Sequence, residues 1–177
     1  TARGSYDMVD GFDGAVVALY RRVAAGVEVL LRRAPRVPLA FRNAPLLHSG
    51  DQIATVLATE LIGGMLEQSD ASPAARAAEE AKEEGGLDLS CARLFSLGNA
   101  TCPSPWLCDE MIHLFACEVT LLRADTAHGD GTPFEEGANL EWCRLLDAIE
   151  RSRIESNWST VAEVALCRLR DHLRESR

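Results

Sequence analysis

The sequence predicts an α/β fold: a mixed sheet sandwiched by helices. Three observations predict it. Apolar, β-branched runs fill the first third of the chain. An alanine-rich helix with start and stop signals interrupts them at 73–86. A second block of strand-like runs then gives way to an amphipathic helix at the C-terminus.

In order, "GAVVALYRR" and "GVEVLLRR" are β-rich runs joined through "VAAG", which predicts an N-terminal hairpin. "VPLAFRNAPLLHSGDQ" reads as loop from its prolines. "IATVLATELI" (53–62) reads as a buried strand, and "GGMLEQSDAS" (63–72) as a turn-rich loop. Ser72 before Pro73 is a helix start, alanines carry the helix, and Gly85–Gly86 stop it. "LDLSCARLFSLG" (87–98) reads as a strand, "NATCPSPWLCDE" as an exposed loop, and "MIHLFACEVTLL" as a strand. "RADTAHGDGTPFEEGAN" is a long polar loop, of the kind that often carries function. "LEWCRLL" is a last strand running into the helix "DAIERSR". "STVAEVALCRLRDHLRES" is a capped amphipathic helix, with Val161, Val164, Ala165 and Leu169 at helical spacing.

At 177 residues, one domain over 1–177 is expected, with room for a sizeable core. The net charge of -9 repels a phosphate backbone, so direct nucleic-acid binding by the chain alone is not expected. A small phosphorylated ligand remains open where a metal or arginines neutralise it. No apolar run of about 20 residues predicts a membrane span, and "TARGSYDMVD" does not read as a signal peptide. The six cysteines lack C-x-x-C spacing, which argues against zinc and for reduced thiols. The expected compartment is intracellular, the cytoplasm first, with an organelle open because a cleaved transit peptide leaves no trace.

The helix "PAARAAEEAKEEGG" ends in four glutamates, Glu79, Glu80, Glu83 and Glu84. Glu80, Glu83 and Glu84 fall within a wedge of about 100°. Each like-charge neighbour costs about 0.2–0.5 kcal/mol, and the unfavourable dipole end adds about 0.3–1 kcal/mol. Those costs are small, so a solvated acidic face stays open beside a hard-cation site with oxygen ligands.

The surrounding pattern resembles the Nudix box, G-x5-E-x7-R-E-U-x-E-E-x-G-U with U aliphatic. "EEAKEEGGL" (79–87) matches its second half: Glu80 follows the arginine position, Glu83 and Glu84 are the Glu-Glu pair, and Gly86–Leu87 the close. "ELIGGMLE" resembles the lead-in "ELPAGGxxE" of the ADP-sugar branch, and by that likeness Gly64 meets substrate. The resemblance implies a Nudix-type α/β/α sandwich in which Glu80, Glu83 and Glu84 hold Mg2+ or Mn2+. The chain departs from the box at Glu79, where the motif has arginine. It departs also at the first glutamate, which falls on Ala71, or on Asp70 with one extra loop residue. Arg76, one turn earlier, is a partial substitute for the arginine.

Pro103, 16 residues after Leu87, resembles the mark of ADP-ribose pyrophosphatase-like members. "PSPWLCDEMIHLF" resembles a segment that ends in an acidic pair, which implies a metal or substrate role for Glu110. "TPFEEGANLEW" resembles the catalytic loop; Ala138 stands where its last glutamate is expected, which leaves Glu136 as the candidate base. Trp106 and Phe134 are candidates to stack on a base, and Arg32, Arg33 and Arg42 to meet phosphate.

The implied activity is metal-dependent hydrolysis of a nucleoside diphosphate-sugar of the ADP-ribose, ADP-glucose or UDP-glucose type. Glu83, Glu84 and Glu136 are the catalytic candidates. A homodimer is implied, with the N-terminal strands supplying the contact. Two alternatives stand beside it: a catalytically impaired Nudix domain that binds a nucleotide or a protein, and a subunit of an RNA 5′-end pyrophosphohydrolase complex. No P-loop, G-x-G-x-x-G, H-E-x-x-H or G-x-S-x-G is present, and the four histidines have no partner by spacing.

Overall fold

The computed structural model describes residues 10–40, 56–90, 93–120 and 138–175. Among them, seven strands form one mixed sheet. Strands β1 (Gly14–Val23) and β2 (Gly26–Pro35) make the expected hairpin, with Val23 opposite Gly26. Gly26 has φ 127°, a conformation that L side chains rarely adopt, so glycine suits this turn.

The hairpin strands pair only near the turn, from Tyr20–Val29 to Val23–Gly26, and then diverge. Strand β3 (Leu57–Glu60) runs along β2, and β4 (Ile62–Met65) along β1. One stretch of chain, broken at Leu61, therefore fills the gap between them. The single strand expected over 53–62 ends instead at Glu60, and its residues 53–55 lie outside the described ones. "GGM", expected as loop, is strand. Here the glycines permit close backbone approach rather than a turn: a Cβ on Gly63 would stand 2.5 Å from the carbonyl oxygen of Ala15.

One turn of helix, α1 (Val37–Ala40), follows β2 within the stretch expected as loop. Helix α2 (Pro73–Glu83) comes after β4. The strand expected over 87–98 is reduced to β5, Phe95–Ser96. Leu87 is used differently: its side chain is buried against the α2 face, and its N–H closes that helix by donating to the Ala81 carbonyl. Strand β6 (Ile112–Glu118) runs parallel to β1 along Gly14–Tyr20, and β7 (Asn139–Arg144) antiparallel to β2. Helix α3 (Leu145–Ile154) continues directly from β7, and α4 (Thr160–Glu175) is the C-terminal helix.

The centre of β1 is apolar on both faces because both are covered. Ala15, Val17 and Leu19 face Ala77 and Ala81 of α2. Ala18 and Tyr20 belong to the other core, with Ile149 of α3 and Leu166 and Leu169 of α4. The expected α/β layering holds: a mixed sheet with helices on both sides. The hairpin strands are central, and β3, β4, β6 and β7 take up most of their hydrogen-bonding edges. The cysteines among the described residues are free thiols. No helix among those residues is long and apolar enough to cross a membrane.

Candidate functional site

Helix α2 starts as its sequence requires. The Ser72 hydroxyl accepts from the Ala75 N–H at 3.1 Å, with Pro73 at the first helical position. It ends where Gly86 turns to φ 66° and donates to the Lys82 carbonyl at 3.1 Å. Ala77, Ala78 and Ala81 are buried, Ala77 and Ala81 against the sheet. Their small size lets the helix lie close, so Glu80 and Glu84, one turn apart, are carried down onto the β4 glycines. Glu80 is 5% exposed and Glu84 8%, while Glu79 faces solvent.

Each buried carboxylate meets an arginine. Arg76 Nη2 donates to Glu80 Oε1, and its Nη1 lies 3.2 Å from Glu79. Arg32, from β2, is 4% exposed and spans two acids: Nη1 to Glu60 at 2.6 Å, Nη2 to Glu84 at 3.0 Å. Arg36 grips Glu60 with two donors: its Nη2 shares Oε1 with Arg32 at 2.5 Å, and its Nε reaches Oε2 at 3.0 Å. The Gly63 N–H donates to Glu84 Oε2 at 3.3 Å. A Cβ on Gly64 would stand 1.8 Å from Glu80 Oε1, so only glycine leaves room for that carboxylate. Glu83 makes no ion pair among the described residues.

Most of these groups line a cleft of about 500 Å³, bounded by Arg32, Arg36, Arg76, Glu80, Glu83, Glu84, Gly64 and Glu110 among others. A second cavity of about 420 Å³ shares Arg36, Gly63 and Glu110 with it. That cavity continues past Pro103 to Trp158 and the first residues of α4. Burial pushes Glu84 up to about 7; Arg32 and the Gly63 N–H oppose this, and the charges of Glu80 and Glu60 add to it. Burial also raises Glu110, and the charge of Asp13 raises it further.

Six of the expected site residues therefore meet in one place: Arg32, Glu80, Glu83, Glu84, Gly64 and Glu110. Trp106 does not join them. It is 73% exposed and lines neither cavity, so a base stacked on it would lie outside this cleft. Glu136 and Phe134 lie outside the described residues. Asp70 closes the turn before α2, accepting from the Glu67 N–H at 2.7 Å, and does not line the cleft. Glu79, at the position of the box arginine, does not line it either. Arg36 belongs to no motif, and Glu60 enters only as the first residue of "ELIGGMLE". Their place depends on the β2–β3 register, which sets Arg32 opposite Glu60.

Among the described residues no three His, Cys, Asp or Glu side chains stand gathered to hold a metal ion. Glu80 and Glu84 are instead paired with Arg76 and Arg32. By donor chemistry, Glu80, Glu83 and Glu84 fit a hard divalent ion, since all are carboxylates lining one cleft. To ligate it, Glu80 and Glu84 must yield oxygens now held by guanidinium groups. The chain matches no protein-family model and no curated protein.

Proposed function

We propose that the chain is a Nudix-type hydrolase that splits the pyrophosphate linkage of a nucleoside diphosphate-sugar, with Mg2+ or Mn2+ as cofactor. One observation carries this reading: Glu80, Glu83 and Glu84 share a cleft with Arg32, Arg36 and the Gly63–Gly64 backbone. Carboxylates for a hard cation and arginines for phosphate are the two halves that a pyrophosphate site needs. An acidic chain has to supply them locally.

Glu80, Glu83 and Glu84 would hold the ion, which when bound offsets charge developing on the phosphates and activates water. Arg36 has a half-exposed guanidinium on both cavities and is placed to orient a phosphate. Glu83, without an ion-pair partner among the described residues, is available to take the proton of the attacking water. Water adds to one phosphorus and the bond to the bridging oxygen breaks. The products are a nucleoside monophosphate and a sugar phosphate. The adjoining cavity gives room for the part of the ligand beyond the phosphates.

A second reading, a domain that binds nucleotide without cleaving it, is favoured by the pairing of Glu80 and Glu84 with arginines. The two separate in one experiment. ADP-ribose, ADP-glucose and UDP-glucose are incubated with the chain and Mg2+ or Mn2+, and nucleoside monophosphate is measured by chromatography. The hydrolase gives metal-dependent release that Glu83→Gln lowers about 100-fold or more, with its melting temperature little changed. No release on any of the three, together with saturable binding of one, establishes the binding reading instead.

A further inference from the structure

Arg76 places a cation of the chain's own on Glu80, one of the carboxylates that would hold the proposed ion. It lies on α2 one turn before Glu80, with its side chain 16% exposed. Its Nη2 holds Glu80 Oε1, the same oxygen that a Cβ on Gly64 would strike. The same Cβ would stand 3.2 Å from Arg76 Nη2. Guanidinium and carboxylate are thus pressed together over the bare Cα of Gly64, in the floor of the cleft. Arg76 Nε is buried and finds no hydrogen-bond partner among the described residues, so the fork is engaged mainly through its tips. Glu79 takes the other tip at 3.2 Å, and its own side chain is 52% exposed.

A guanidinium and a divalent cation want the same carboxylate oxygens, and one oxygen so enclosed does not serve both at full strength. Without an ion, Glu80 still needs a counter-charge, because an unpaired buried carboxylate is strongly destabilising. We propose that Arg76 is a resident counter-ion that occupies the Glu80 side of the cleft and competes with a divalent cation for it. Glu79 is the acceptor that keeps Arg76 when the ion displaces it from Glu80. The residue that departs from the box thereby acquires a use: it gives the displaced guanidinium a partner at the rim. This inference rests on the reading of the cleft as an ion-dependent site.

The test is Mn2+ binding to the folded chain, followed by calorimetry and by the Mn2+-induced shift in melting temperature, with no nucleotide present. In Arg76→Gln, Mn2+ binds about tenfold tighter or more than in the unaltered chain. The metal-free protein melts lower, and Mn2+ raises its melting temperature by more. Arg76→Lys, which keeps the charge and loses the fork, falls between. Unchanged or weaker binding in both variants overturns the proposal, as does an absence of Mn2+ binding in all three proteins. A variant that folds only with Mn2+ supports it. Should neither variant fold even with Mn2+, Glu79→Gln decides: weaker Mn2+ binding supports the displaced-arginine scheme, and unchanged binding overturns it. Hydrolysis plays no part in these readouts. A chain inactive on every nucleotide-sugar that binds Mn2+ more tightly without Arg76 loses the hydrolase reading and keeps this one. An active chain whose Mn2+ affinity ignores Arg76 loses only this inference.

Discussion

Arg32 of β2 and Glu84 at the end of α2 meet at 3.0 Å, with both side chains almost completely shielded from water. The pair ties the sheet to the acidic end of the helix. The other tip of Arg32 reaches Glu60 at 2.6 Å, so one buried cation serves two buried or nearly buried acids. This relationship, with that of Arg76 and Glu80, explains how four glutamates crowd the last turns of one helix. Two of them have guanidinium partners in the cleft, and Glu79 shares Arg76 from the solvent side.

Removing the shared cation should therefore be costly. Arg32→Met leaves Glu84 buried without its arginine and Glu60 with Arg36 alone. The expected loss of stability near neutral pH is about 3–5 kcal/mol, the usual cost of breaking a buried pair by one member. Urea unfolding measures it. Adding Glu84→Gln to the same chain should recover part of the loss above neutral pH, where Glu84 is charged, and little near pH 7, where without Arg32 it keeps its proton. A loss below about 1 kcal/mol would show that the pair is not buried as described.

Glu84 also makes stability depend on pH. Its folded value of about 7 lies above the ordinary 4.5. Between those values the folded chain keeps a proton that the unfolded chain has given up. The contribution of Glu84 is thus fully present below pH 4.5 and is lost as pH rises to about 7. Linkage puts the total fall at about 3 kcal/mol. Glu84→Gln has no such proton to lose. Melting temperatures from pH 5 to 8 in chelator should converge on, or drop below, those of the variant as pH rises. A constant difference across that range would remove the assignment.

Gly64→Ala tests the close approach over β4. The added methyl would lie 1.8 Å from Glu80 Oε1, so the carboxylate has to move. Overpacking of this kind costs about 1–3 kcal/mol. On the proposed function, nucleoside monophosphate release falls as well. Wild-type stability together with wild-type turnover would mean that Glu80 is not held against Gly64.

The two ends of α2 should contribute comparably. Ser72→Ala removes the hydroxyl that accepts from Ala75, at a cost of about 1 kcal/mol. Gly86→Ala forces a side chain into a backbone conformation at φ 66°, with a cost of about 1 kcal/mol or more. Thermal unfolding of the two single variants and the double variant checks both values. The effects should add, because the caps are at opposite ends of the helix.

The hairpin, the limits of α2 and the continuation of β7 into α3 were legible in the sequence. So was the gathering of Glu80, Glu83 and Glu84 on one face. Each depends on neighbours a few residues away: a glycine at a turn, a capping serine, an apolar period. Four things were not legible. Gly63 and Gly64 read as a turn and are strand, since what decides them is the approach of β1. The whole of 87–98 reads as strand, yet among its described residues the strand is Phe95–Ser96, paired with β6. Trp106 looks like a stacking residue, yet it is exposed and not part of the cleft lining. Arg36 carries no motif at all, and Glu60 stands out only as the first residue of "ELIGGMLE".

By itself, then, the sequence determined an α/β chain with a capped acidic helix and the face on which its carboxylates lie. Tertiary structure alone decided what those carboxylates touch. Arg32 meets Glu60 across 28 positions of chain because β3 settles on β2 in one register. Arg32 meets Glu84 because small alanines let α2 lie close to the sheet. A carboxylate with water around it and a carboxylate against a guanidinium are the same letter in a sequence. Burial and register, which are long-range, decide whether that letter is a solvated charge, a paired one or a ligand.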